Sequence, residues 1–219
     1  MAILYNPPPH HGLELIYSDD SILVLNKPSG LLSVPGRGED KSDCLATRTV
    51  SEYPDALIVH RLDMATSGLM ILARGKQVHR QLSILFQQQQ VSKSYIAIVD
   101  GIIAPTSGEI ERPLITDWPN RPRQKVDYRV GKPSLTHFMV MEHNQTNMST
   151  RVQLRPRTGR SHQLRVHLFS IGHPIVGDEL YGGDKVIAKS KRLLLHATSL
   201  SFVHPVTDKL LTFESDTPF

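Results

Sequence analysis

The stretch Arg151-Val152-Gln153-Leu154-Arg155-Pro156-Arg157-Thr158-Gly159-Arg160-Ser161-His162-Gln163-Leu164-Arg165-Val166-His167-Leu168-Phe169-Ser170-Ile171-Gly172 holds both kinds of local pattern this chain uses. Its first half alternates: Val152 and Leu154 interleave with Arg151, Gln153, Arg155 and Arg157. A strand with this pattern sends the apolar residues inward and lines one outer face with arginine. Thr158–Ser161 then turns into a helix, with Ser161 in the N-cap position. Leu164, Leu168 and Ile171 make the expected buried stripe. Gly172 fits the residue after the helix, and Pro174 ends it. A basic strand face that feeds a helix start gathers positive potential where an anion would sit.

Outward from this stretch, strands outnumber helices and do not alternate with them regularly. Ile22–Leu25 is an apolar run stopped by Asn26-Lys27-Pro28, and Leu69–Ala73 is another, entered through Gly68. Between Gln77 and Gln90, Val78, Leu82, Leu85 and Phe86 recur on one helical face. Tyr95–Val99, Phe138–Met141, Leu193–Leu195, Leu200–Val203 and Leu210–Phe213 read as strands, the last two joined by a turn over His204–Asp208. Residues 5–12, 35–43, 104–108, 117–123, 142–149 and 181–190 read as loops. This pattern predicts an α+β fold with a mixed, largely antiparallel sheet and flanking helices, in one domain over residues 1–219.

With 219 residues, 39% hydrophobic and 21% charged, the composition is that of a globular chain with a real core. One cysteine, Cys44, excludes an internal disulfide and Cys-based zinc or iron–sulfur sites. No apolar run reaches the ~18 residues of a membrane span. The first nine residues show no secretory signal, so a cytoplasmic protein is expected, and the Asn144 and Asn147 sequons are read as chance. The net charge is +4, from 25 Lys and Arg against 21 Asp and Glu. Its distribution says more than its size: Arg121, Arg123 and Lys125 are close neighbours, as are Arg151, Arg155, Arg157, Arg160 and Arg165. Arginine's planar fork suits phosphate and base edges, although a solvated basic face accounts for any single cluster.

Asp63 sits in Val59-His60-Arg61-Leu62-Asp63-Met64-Ala65-Thr66-Ser67-Gly68, a turn-like segment just ahead of an apolar strand. A carboxylate in a loop anchored to a rigid strand is a usual place for a catalytic group, and an Asx turn or an Arg61–Asp63 surface pair also accounts for it. The segment is not a kinase loop, since no Asp-Phe-Gly or glycine-rich strand accompanies it. It resembles the signature of the RluA-type pseudouridine synthases. Four further blocks of that family occur in order: Val24–Gly30, Lys93-Ser94-Tyr95-Ile96-Ala97, Thr158–His167 and Leu193–Ala197. The resemblance spans roughly residues 20–215. It implies the pseudouridine synthase fold with a central RNA-binding cleft. About twenty residues precede the first block, so the S4-like domain of many relatives is not expected.

The implied reaction isomerises a uridine within RNA: the base leaves C1′, turns, and rejoins through a carbon. It needs no cofactor, and none is expected; the sequence has no Walker loop, dinucleotide fingerprint or Cys metal site. By position, Asp63 matches the family's catalytic aspartate, Arg165 the arginine that pairs with it, and Tyr95 the tyrosine that packs on the target base. Arg61 matches the residue that enters the stack vacated by the flipped nucleotide. Lys27, Arg121, Arg123, Lys125, Arg155, Arg157 and Arg160 are then expected on the RNA backbone, which supplies affinity and register. Trp118, the single tryptophan, is either a stacking platform for a loop base or a packing anchor. His162 and His167 lack the spacing of a zinc pair, no metal site is expected, and His60 and His196 are read as structural hydrogen-bonders. The segment 117–125 resembles the insertion of a dual-specificity member, which implies stem-loops of 23S rRNA and tRNA as partners. A lone domain with no zipper or repeat is expected to be a monomer. A non-catalytic RNA binder or chaperone on the same fold is the alternative. A nuclease would ordinarily need metal-binding carboxylates or a placed His pair, and neither is found.

Overall fold

A computed structural model describes residues 5–219. Met1–Leu4, the start of the stretch read for a leader segment, lie outside them. In chain order the described residues form β1 (Leu15–Ser18), β2 (Ile22–Lys27), α1 (Leu45–Glu52), β3 (Ala56–Ile58), β4 (Ser67–Arg74), α2 (Gly75–Gln87), β5 (Ser92–Asp100) and β6 (Ser107–Glu111). There follow β7 (Leu114–Thr116), β8 (Gln124–Val126), β9 (Leu135–Asn144), β10 (Ser149–Pro156), α3 (Gln163–Ser170), α4 (Asp184–Ile187), β11 (Leu195–Val203) and β12 (Leu210–Glu214). Among the described residues no helix is long and apolar enough to cross a membrane. The elements group into two compact units, one of residues 1–92 with 197–217, the other of residues 93–196 with 218–219.

In the first unit the strand order is β1-β2-β4-β11, with β12 paired to β11 and β3 to β4. The pairs β1–β2, β2–β4, β3–β4 and β11–β12 are antiparallel. The two apolar runs became β2 and β4, and both are buried on both faces, as continuous rather than alternating runs require. Val24 faces Ile71 and Ile22 faces Ala73, and this cross-strand surface meets Val78 and Leu82 of α2, with Leu85 and Phe86 packed at its margin. The expected helical face is therefore the one that buries. The expected strands 193–195 and 200–203 are instead a single strand, β11, which begins at Leu195.

Helix α1 and strand β1 fall where no element was expected. Cys44 caps α1: its sulfur accepts from the Thr47 N–H and Thr47 Oγ1 accepts from the Cys44 N–H, a capping box. Asp43 takes both Nε and Nη2 of Arg48 at 2.7 Å, tying the first turn down.

In the second unit the order is β5-β10-β9-β6, all antiparallel, and β7 and β8 form a separate hairpin. Val152 and Leu154 of β10 are fully buried, and Arg155 and Arg157 are exposed, as the alternation requires. Arg151 departs from that outer face: it is half-buried and donates to the Phe219 carbonyl at 2.8 Å. Helix α3 starts differently from expectation. Its N-cap is His162, in the left-handed region at φ 52°, and not Ser161. Gln163 instead ties the preceding loop to the helix start, its Oε1 accepting from Thr158 Oγ1 and the Arg160 N–H. The helix is also buried all round from Gln163 to Leu168, with no single apolar stripe. Its end is as read: Gly172 has φ 87°, and the Gly172 and His173 N–H groups donate back to Phe169 and Leu168, a Schellman closure.

Candidate active site

In the first unit, Asp63 lies in the loop between β3 and β4, half-buried and with a turn at its back: the Thr66 N–H donates to its carbonyl at 3.1 Å. Hydrogen bonds fix the loop on either side. Before the aspartate, Ser33 Oγ donates to the Leu62 carbonyl at 2.7 Å and accepts from the Leu62 N–H at 3.2 Å. After it, the Met64 carbonyl accepts from the Gly30 N–H at 2.8 Å and from Lys27 Nζ at 3.1 Å, and the Ala65 carbonyl accepts from Ser29 Oγ at 2.7 Å. The Lys27–Gly30 block is thus a cradle for the Asp63 turn. Lys27 itself is 0% exposed, and its Nζ also donates to the Pro28 and Leu31 carbonyls. A buried ammonium that spends its protons on backbone carbonyls holds a loop and does not face a phosphate, so its expected place on RNA is corrected.

Two further residues of the segment have structural tasks. Gly68 has φ 115°, and a Cβ there would stand 2.3 Å from the Ala197 carbonyl oxygen, so only glycine lets β4 begin here. His60 accepts from the Ile71 N–H at 3.0 Å and stacks on Phe86 at 4.5 Å, as expected of a structural hydrogen-bonder. Arg61, by contrast, is exposed at the rim of the loop.

In the second unit, Tyr95 is half-buried on β5, opposite Leu154 of β10. Arg165 is 4% exposed on α3, and its Nε and Nη2 donate to the two oxygens of Asp178 at 2.8 and 2.7 Å. Asp178 is also anchored by the Leu180 and Tyr181 N–H groups, which donate to its Oδ1. The Tyr181 ring lies 5.3 Å from the Arg165 guanidinium carbon. This is a bidentate, fully walled cation, not an arginine that snorkels at a helix edge. Sequence reasoning missed Asp178 and Tyr181. The signal was a glycine–acid pair, Gly177-Asp178. Gly177 has φ 76°, and a Cβ there would collide with the Arg192 carbonyl.

Tyr181 also braces the β7–β8 hairpin. Its hydroxyl accepts from the Gln124 N–H at 2.7 Å and pairs with His162 Nδ1 at 2.8 Å, and Arg123 lies over its ring at 5.4 Å. Arg123 is therefore a half-buried prop of the hairpin. Trp118 at the hairpin tip is 65% exposed, with the Arg121 guanidinium stacked 4.6 Å from its ring, so it is not a packing anchor. Lys125, Arg155, Arg157 and Arg160 are exposed, Arg160 touching the Pro133 carbonyl at 3.3 Å. His167 is buried between Thr136 and the Arg112 carbonyl, and burial holds its pKa low. Among the described residues no three His, Cys, Asp or Glu are grouped to hold a metal ion.

Residues 21–170 match the family model described as RNA pseudouridylate synthase. The chain belongs to the RNA pseudouridylate synthase family. It is 49% identical, over 98% of both chains, to the dual-specificity RNA pseudouridine synthase RluA of Escherichia coli K12, and 46% identical, over the full length of both, to the RluA of Haemophilus ducreyi. Among solved structures it is similar to human RNA pseudouridylate synthase domain containing 1, with a TM-score of 0.82 and 29% identity over 98% of this chain and 87% of that one. This RNA pseudouridylate synthase is an isomerase of uridine in RNA, built on the mixed-sheet synthase fold.

Proposed function

We propose that the enzyme isomerises specific uridines in stem-loops of 23S rRNA and tRNA, with Asp63 as its essential carboxylate. The observation that carries this is the Asp63 loop. Four polar groups from Lys27–Ser33 hold the carbonyls on either side of one aspartate, which is the pre-organisation that a reacting group needs. The similarity to a protein named for dual specificity supports two RNA classes as substrates.

The chemistry moves a base without losing an atom. The carboxylate of Asp63 supplies a nucleophile or base toward the target nucleotide, and that task requires the ionised form. Arg165 is the fixed cation of the chemistry, and Asp178 keeps its guanidinium from turning. Tyr95 offers a ring for the uracil and a hydroxyl for proton transfer. Arg61, exposed and on the same loop as Asp63, fills the stack when the nucleotide flips out, a step that costs a few kcal/mol. Arg121, Lys125, Arg155, Arg157 and Arg160 hold the backbone, and Trp118 stacks on a loop base. The chain works as a monomer, in the cytoplasm, as one catalytic domain. Its first unit is completed by residues 197–217, so the chain must pass through the second unit before the first can finish.

Carbodiimide labelling and primer extension on unmodified 23S rRNA and tRNA transcripts test the substrate assignment. Pseudouridine in both RNAs is the expected result. Signal in one RNA alone reduces the range to a single class. RNA binding without any signal moves the assignment to a non-catalytic RNA binder.

A further inference from the structure

Lys93 opens the block that contains Tyr95. It is half-buried at the start of β5, yet among the described residues no carboxylate, carbonyl or hydroxyl takes a hydrogen bond from its Nζ. Desolvation alone acts on it and pushes its pKa down. A partly desolvated ammonium with no partner is a standing cost to the folded state, and groups of this kind concentrate where a ligand completes them.

Its position says what the ligand is. Lys93 and Tyr95 are two residues apart on one strand, so both side chains leave the same sheet face, about 7 Å apart. That is the scale of the distance between a nucleobase and its own backbone phosphate. The Nζ also stands 3.8 Å from where a Cβ on Gly159 would be, beside the Arg157–Arg160 segment with its two exposed arginines. Among the described residues no carboxylate pairs with Lys93, and the two exposed arginines beside it favour an anion.

We propose that the Lys93 ammonium binds a backbone phosphate flanking the target uridine and so sets the nucleotide whose base Tyr95 receives. This rests on the reading of Tyr95 as the residue that meets the base. Lys93 is then a substrate-positioning residue of the second unit, distinct from the exposed clamps: they track the strand, whereas Lys93 fixes one nucleotide.

The test uses the full-length enzyme and a stem-loop in which it forms pseudouridine, made with a neutral methylphosphonate on either side of the target. With natural RNA, Lys93→Met loses roughly tenfold or more in kcat/KM, the size of one charge-assisted contact, and Lys93→Arg recovers most of it. The methylphosphonate at one of the two positions costs the wild type a similar factor and costs Lys93→Met nothing further. Thermal unfolding separates a structural role, because removing an unpaired desolvated charge leaves Tm unchanged or raises it. The proposal is overturned if Lys93→Met turns over like the wild type, if the two losses multiply at both positions, or if the variant's Tm falls in step with its activity. Wild-type enzyme that isomerises no stem-loop would remove the parent reading, and this one with it.

Discussion

Lys27 and Arg165 show how much burial decides at the scale of one residue. Both are cations in motif blocks, and the pattern treats them alike as groups for RNA or catalysis. In the fold each is walled in, one by backbone carbonyls and the other by Asp178. Sequence shows residue type and spacing but not which cation loses its water, so Lys27 was misplaced. The Arg165–Asp178 pair is side-chain exposed by only 5% and 0%. Asp178→Ala strips the buried Arg165 guanidinium of two charge-assisted hydrogen bonds and should destabilise the enzyme by about 2–4 kcal/mol in urea unfolding. A change below about 1 kcal/mol would mean the pair is solvated. His196 gives a second test. It is 1% exposed, and burial first, then the Arg192 charge, bring its pKa down to about 4. The unfolded chain takes that proton near pH 6.5 and the folded one near 4, so stability is full above 6.5 and is lost as pH falls through this window. His196 alone should cost the enzyme about 2 kcal/mol of stability at pH 5 relative to pH 7.5, and His196→Gln should remove that contribution from the slope.

Among the elements, legibility followed the strength of the local pattern. Strands β2 and β4 were readable as unbroken apolar runs, and β10 and helix α2 because their apolar residues recur with one clear period. The β11–β12 hairpin was readable from its turn. Helix α1 was not: Leu45–Glu52 carries three β-branched residues, no acidic first turn, and a cysteine where Ser, Thr, Asp or Asn ordinarily caps. Strands β7 and β8 are three residues each, too short to show alternation. They persist because Tyr181 on a distant loop braces them, a tertiary cause that no local window contains. Tyr181→Phe keeps the ring beneath Arg123 and Arg165 but strips the Gln124 N–H of its acceptor. We expect a stability loss of about 1–2 kcal/mol and a larger change in KM than in kcat, since the hairpin presents Trp118 and Arg121. An unchanged KM would detach the hairpin from RNA recognition.

For the whole molecule, the family was legible because five blocks in order carry the resemblance; composition and the net charge of +4 alone were not decisive. Of the seven cations expected on RNA, five remain exposed: Arg121, Lys125, Arg155, Arg157 and Arg160. If all five meet phosphates, log affinity should fall with log salt at a slope of about −3 to −5. A flat response would refute the clamp assignment, whatever happens to turnover.

The central claim is that Asp63 performs the isomerisation while other residues bind the RNA. Single-turnover nucleoside analysis of a substrate stem-loop, with wild type and Asp63→Asn at matched RNA occupancy, tests it most directly. The account predicts pseudouridine at unchanged RNA mass and length with the wild type. With Asp63→Asn it predicts a rate lower by on the order of a thousandfold or more at near-normal affinity. Pseudouridine formed by Asp63→Asn at close to the wild-type rate would contradict it.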